Sequence, residues 1–185
     1  DALERAAPQA PVVLRLAALL LGAVAVLLHL RMVLAALRTG LRPELGQSFM
    51  LVRIAWGGLL ASLVIGAALA LDAPLPRLPL LFGLCVIGFW LMSFLFGILQ
   101  RILPFLASMH GATGRRARTP SALTHDGALR VHFFCHLGAL ALLVLAIVFD
   151  SAWITFVAAA VGSAGAIAFC VFFFVLLRRM RAPVR

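Results

Sequence analysis

Long apolar runs separated by short polar breaks dominate the chain. Five stretches have the roughly 20 consecutive, mostly apolar residues that a helix needs to cross the hydrocarbon core of a bilayer. They lie at residues 12–37, 49–71, 78–106, 129–149 and 153–177. Two of the breaks carry turn and helix-start chemistry, Leu-Asp-Ala-Pro-Leu-Pro at residues 71–76 and Phe-Asp-Ser at residues 149–151. Connections that short make the second and third spans antiparallel neighbours, and likewise the fourth and fifth. The pattern predicts an all-α fold, a polytopic transmembrane helix bundle with five membrane spans. Residues 12–185 form this domain, and residues 1–11, polar with two prolines, precede it as a linker or N-terminal extension.

Composition agrees. Of 185 residues, 64% are hydrophobic and 12% charged, where a soluble domain has about 25% charged residues. Apolar runs of this length cannot all be buried in so small a soluble domain. Soluble enzyme, secreted disulfide scaffold and disordered tail are thereby excluded. All 16 cationic side chains are arginine, and lysine, tyrosine and asparagine are absent, a bias typical of a high-GC bacterial coding sequence.

The net charge of +10 does not imply nucleic-acid binding, because the arginines cluster at the ends of apolar segments, where lipid headgroups await them. Thirteen arginines fall on the side of the first-to-second loop, the third-to-fourth loop and the C-terminus; only Arg5, Arg15 and Arg77 fall on the other. This asymmetry predicts a bacterial inner-membrane protein with its N-terminus outside and its C-terminus in the cytoplasm. An outside N-terminus in a chain starting at Asp1 makes residues 1–11 a connection from something upstream, so the chain is expected to be part of a longer or processed protein.

Small residues mark helix seams. Ala160, Ala164 and Ala168, flanked by Gly162 and Gly165, recur along the fifth span, and Ser93 and Gly97 share the spacing on the third. Trp153 suits an interfacial anchor at the start of the fifth span. Cys85, Cys135 and Cys170 match no metal or haem-attachment spacing and read as small packing residues.

Polar side chains within spans are the candidates for chemistry. They are His29, Arg31, Arg53, Gln100, Arg101, His132 and His136, all toward the arginine-rich side, with His110 just beyond the third span. His132 and His136, four apart, share one helical face. Such a pair either presents metal ligands or hydrogen-bonds neighbouring backbone and loop groups. Two histidines on different helices at matched depth would suit a haem iron. His29 lies about 12 Å from the inner end of its span, and His136 about 11 Å, at 1.5 Å per residue. Depth therefore selects His29 and His136 as the metal-ligand pair and leaves His132 nearer the interface. Arg53 and Arg101 either recognise an acidic group, such as a haem propionate or lipid headgroup, or reach to the membrane surface. Pro104 cannot donate to the carbonyl of Gln100 and is expected to kink the third span. No carboxylate lies within a span, and no Ser/His/Asp set, phosphate loop or Cys/His cluster occurs.

The segment at residues 88–106, through Gly88, Trp90, Gly97, Pro104 and Phe105, resembles bacterial membrane proteins related to haem-copper oxidase subunit I, in particular paralogues of the C-type oxidase subunit. The Thr-Pro-Ser-Ala-Leu-Thr loop at residues 119–124 and the histidine-bearing helix start after it are similar as well. The resemblance covers about 50 residues. It implies a helix bundle descended from a haem-carrying subunit, with a single b-type haem as the cofactor to test. Catalytic members carry adjacent or near-adjacent copper ligands and a tyrosine. This chain has no His-His pair and no tyrosine, so the oxygen-reducing site cannot be assembled from it. The expectation is a non-catalytic haem carrier or accessory subunit of a respiratory assembly, with the bilayer and other membrane subunits as partners. The alternative is a cofactor-free packing or transport-associated subunit.

Overall fold

The computed structural model describes residues 12–40, 46–110 and 119–181, and all regular structure among them is helical. The linker at residues 1–11 lies outside the described residues. The helices are α1 (Val12–Gly40), α2 (Gly46–Ala70), α3 (residues 78–110), α4 (Pro120–Leu123), α5 (Asp126–Phe149) and α6 (Ala152–Arg181). The five long ones are long and apolar enough to cross a membrane. They correspond to the five predicted spans. α2, α5 and α6 start one to three residues before the predicted limits, and α1, α3 and α6 run three or four residues past them. Polar ends such as Gln47–Ser48 and Arg178–Arg181 continue a helix without being apolar. The one-turn α4 carries no hydrophobic period and went unforeseen.

Two tight connections set the pairing. Asp150 ends α5 in the left-handed region (φ 52°), and the Ser151 hydroxyl accepts from the Ile154 amide to start α6. Asp72 takes the same conformation after α2 (φ 51°), as short polar side chains can. Arg77, at the start of α3, reaches across the bundle to the α5–α6 turn. Its guanidinium pairs with Asp150 and donates to the Ile147 carbonyl at 3.0 Å. Arg15 on α1 pairs with Asp72 at 3.5 Å. The arginine-poor end is thus tied by its few charges.

α3 lies between α2 and α5, α6 packs most extensively on α5, and α1 runs along α2. α3 is not uniform: Leu84–Met92 is a nine-residue π-helix between α-helical stretches Leu78–Gly83 and Ser93–His110. Here the backbones come closest. A Cβ on Gly58 of α2 would sit 2.5 Å from Phe89 Cβ and 2.9 Å from its carbonyl carbon. On the other side, a Cβ on Gly88 would meet Leu140 of α5 at 2.6 Å. Nothing in the local sequence pattern announces the wider turn. The α-helix beyond it continues through Pro104, which is buried.

The α5–α6 seam differs from the predicted alanine row. Ala160 and Ala164 are exposed; the buried line is Ala158, Gly165, Phe172, with Ala168 and Leu176 beside it. Its near seven-residue spacing is the one that keeps a helix facing a nearly parallel neighbour. A Cβ on Gly165 would touch Cys135 Cβ at 3.0 Å, so glycine is what lets α5 and α6 close there. At the arginine-rich end α4 acts as a plug. Leu123 is 1% exposed between Ala107 of α3 and Leu176 of α6, and Arg179 of α6 donates to the carbonyls of Ala122 and Thr124 at 3.2 and 2.6 Å.

Candidate functional site

The polar side chains gather in three places. The most enclosed is the α3–α5–α6 contact. His132 is 2% exposed. Its Nδ1 lies 3.0 Å from the Gly165 carbonyl; a carbonyl only accepts, so Nδ1 carries the proton. In the neutral ring Nε2 is then a lone pair, and it is buried without a hydrogen-bond partner. One turn on, His136 Nε2 is 2.9 Å from the Ser93 hydroxyl of α3. The two imidazoles stack, with centroids 5.7 Å apart and planes 20° from parallel. Phe96 meets both rings edge-on, at 4.5 and 5.3 Å, and Phe169 packs on His132 at 5.0 Å. The cluster therefore holds three helices together: His136 to α3, His132 to α6, with phenylalanines filling around them.

His29 is elsewhere. It stacks on Trp56 with centroids 5.0 Å apart, in a cleft of about 580 Å³ whose walls come from α1, α2 and α3 and include Trp90 and Phe94. His136 is not among the residues lining it. The structure does not bring His29 and His136 together: matched depth placed them at one level, but α1 docks along α2 while α5 lies on the other side of α3. His132 and His136 cannot replace that pair as axial ligands on opposite faces of one haem, since they are successive turns of one helix with nearly parallel rings. Among the described residues no group of three or more His, Cys, Asp or Glu side chains is placed to hold a metal ion. Among the described residues, His29 and His136 are not placed to share a haem between the helices.

The third place is the arginine-rich end of α3. Arg101 Nε donates to the Ser48 hydroxyl of α2 at 3.1 Å. Gln100 is 5% exposed, and its Nε2 has no hydrogen-bond partner. Beside them opens a cavity of about 450 Å³, bounded also by Pro104, Ser121 and Thr124. A smaller chamber of about 200 Å³ lies behind Gln100 and Thr124, lined by Gln47, Ser48 and Asp126. Arg53 is not part of this group: it is exposed on α2, its guanidinium carbon 5.8 Å from the centre of the Phe49 ring. The side chain of His110 lies outside the described residues.

Two participants were not among the residues expected to carry chemistry. Ser93 reads in sequence as a small packing residue but contributes the hydroxyl that engages His136. His125 caps α5, its Nδ1 accepting from the Ala128 amide at 3.0 Å; a histidine directly before an acidic residue and a glycine at a helix start was the available cue. No protein-family model, curated protein or solved structure matches the chain.

Proposed function

We propose that the chain is a non-catalytic helical subunit of a bacterial inner-membrane respiratory assembly, related to haem-copper oxidase subunit I, with its arginine-rich end in the cytoplasm. The observation that carries this reading is the use made of the inner histidines. Their hydrogen bonds go to Ser93 of α3 and Gly165 of α6, which is helix tethering rather than cofactor ligation. The resemblance at residues 88–106 supports the relationship, and the arginine asymmetry supports the orientation.

One observation favours a second reading, a b-type haem carrier. A ring with Nδ1–H donated to a backbone carbonyl and a bare Nε2 is the arrangement of a metal-ligating histidine, and His132 has it. Such a haem would take its other ligand from a partner chain. The test is native electrophoresis of the membrane extract with in-gel haem staining, followed by a visible spectrum of the separated chain. Under the first reading the chain migrates with a haem-containing complex and by itself shows no Soret band. A stoichiometric Soret band that disappears in His132→Ala would overturn it in favour of the second.

A further inference from the structure

We propose that the cleft between α1, α2 and α3 is a binding site for one lipid-soluble quinone, its ring lying among the aromatic side chains and its carbonyl oxygens accepting from their N–H groups. The site requires only the bilayer and these three helices, and it does not rest on the respiratory assignment above. Three N–H-bearing side chains line the cleft, those of His29, Trp56 and Trp90. Among the described residues none of the three makes a side-chain hydrogen bond: His29 and Trp56 have their ring stack, and the Trp90 indole has no polar partner. The other lining side chains are apolar, so the cleft presents donors and no side-chain acceptor.

Depth makes this arrangement costly when empty. His29 lies about 9 Å along α1 from Ala35, where its apolar span ends, and Trp56 about 15 Å along α2 from Gly46. A tryptophan that anchors a helix sits at the membrane surface, as Trp153 does at the start of α6. Trp56 and Trp90 lie well inside their spans instead, where bilayer water does not reach. Nor does His29 extend toward the surface, because its ring lies on Trp56 of the neighbouring helix. An unmet donor in such surroundings costs free energy unless something accepts from it.

The walls suit an exchangeable ligand. α2 and α3 approach most closely at Gly58 and Phe89, beside Trp56 and Trp90. Trp90 and Leu91 belong to the π-helix, a rare geometry that recurs at functional sites. The third wall is α1, whose span is not buried inside the protein, and His29 is exposed there, so entry is from the lipid. A volume of about 580 Å³ falls within the roughly 300–1,000 Å³ of small-molecule sites. No arginine or carboxylate lines the cleft, which favours a neutral ligand over a phospholipid head or a fatty acid. A quinone is neutral and planar, offers two carbonyl acceptors and leaves its isoprenoid tail in the bilayer.

The test is indole fluorescence of the full chain in phosphatidylcholine nanodiscs, with Trp153→Phe so that only Trp56 and Trp90 emit, titrated with decylubiquinone. Saturable quenching is expected, with no displacement by excess decylbenzene, which has a ring and tail but no carbonyl. His29→Phe keeps the ring stack and loses the N–H, and should weaken binding about tenfold, the worth of one hydrogen bond. Ala25→Phe fills the cleft from an exposed position on α1 and should abolish saturation with helix content unchanged. Should His29→Phe lose helix content, Ala25→Phe decides. Quenching that rises linearly with quinone content, as collision in the bilayer does, or unchanged binding in His29→Phe or Ala25→Phe would overturn the proposal. Displacement by decylbenzene would also overturn it, and would mean a greasy cleft that makes no hydrogen bond to its occupant.

Discussion

α1 and the α5–α6 hairpin have the same kind of sequence and opposite situations. Both are long, apolar and almost free of charge. Yet none of the 22 residues of the α1 span is buried inside the protein, whereas α5 and α6 meet along a line closed by Gly165 and fastened by His132. In lipid no hydrophobic force distinguishes protein from acyl chain, so apolar character alone brings no two helices together. Close approach and satisfied polar groups do, and α1 has little of either. Its one ion pair among the described residues is Arg15 with Asp72, at an exposed turn; His29 has a ring partner only.

The largest expected effect tests the close approaches. Gly58→Val should destabilise the bundle by about 2–3 kcal/mol, because its new Cβ would press on Phe89 backbone that cannot yield. A Cβ on Gly22 of α1, or on Gly57, one position from Gly58, meets nothing within 4 Å, so Gly22→Val and Gly57→Val should change stability by under about 0.5 kcal/mol. Denaturant unfolding in mixed micelles measures all three. Equal losses would erase the distinction between packed and peripheral helices.

Next comes the polar tether. Ser93→Ala removes the hydroxyl bonded to His136 and should cost about 0.6 kcal/mol, the typical worth of an interhelical hydrogen bond in a membrane protein. His29→Phe keeps the stack on Trp56 and should cost less. A double-mutant cycle of Ser93→Ala with His136→Phe isolates the term; additive losses would show that the two side chains do not interact.

Smallest is the charge at the arginine-poor end. Arg77→Gln should cost at most about 1 kcal/mol, since the Asp150 side chain is 76% exposed. The loss should shrink as salt is raised. A loss that ignores salt would assign the effect to the Ile147 carbonyl instead of the ion pair.

Much of this was legible in the one-dimensional pattern. Five spans, two short antiparallel connections and an arginine-rich end follow from hydropathy and charge, which are local properties that each residue brings with it. The polar candidates were legible too: Gln100, Arg101, His132 and His136 stand out because lipid makes such residues expensive. Their partners did not stand out. His29 and His136 have matching depths, a quantity measured along a helix, but pairing also needs each helix's rotation and neighbours. The alanine row on α6 shows the same limit, since a repeat of four marks a possible seam without saying which way the helix turns, and Gly165 with Phe172 faces inward instead.

The sequence by itself determined that this chain lives in a membrane as five helices, because the cost of unsatisfied backbone in hydrocarbon leaves a long apolar run no other form. The tertiary structure alone decided that α3 widens into a π-helix between Gly58 and Leu140, that Ser93 meets His136, and that the Gln100 amide lacks an acceptor. Each of these depends on where a second helix lies, to within an ångström or so, and no property of a single segment contains that distance.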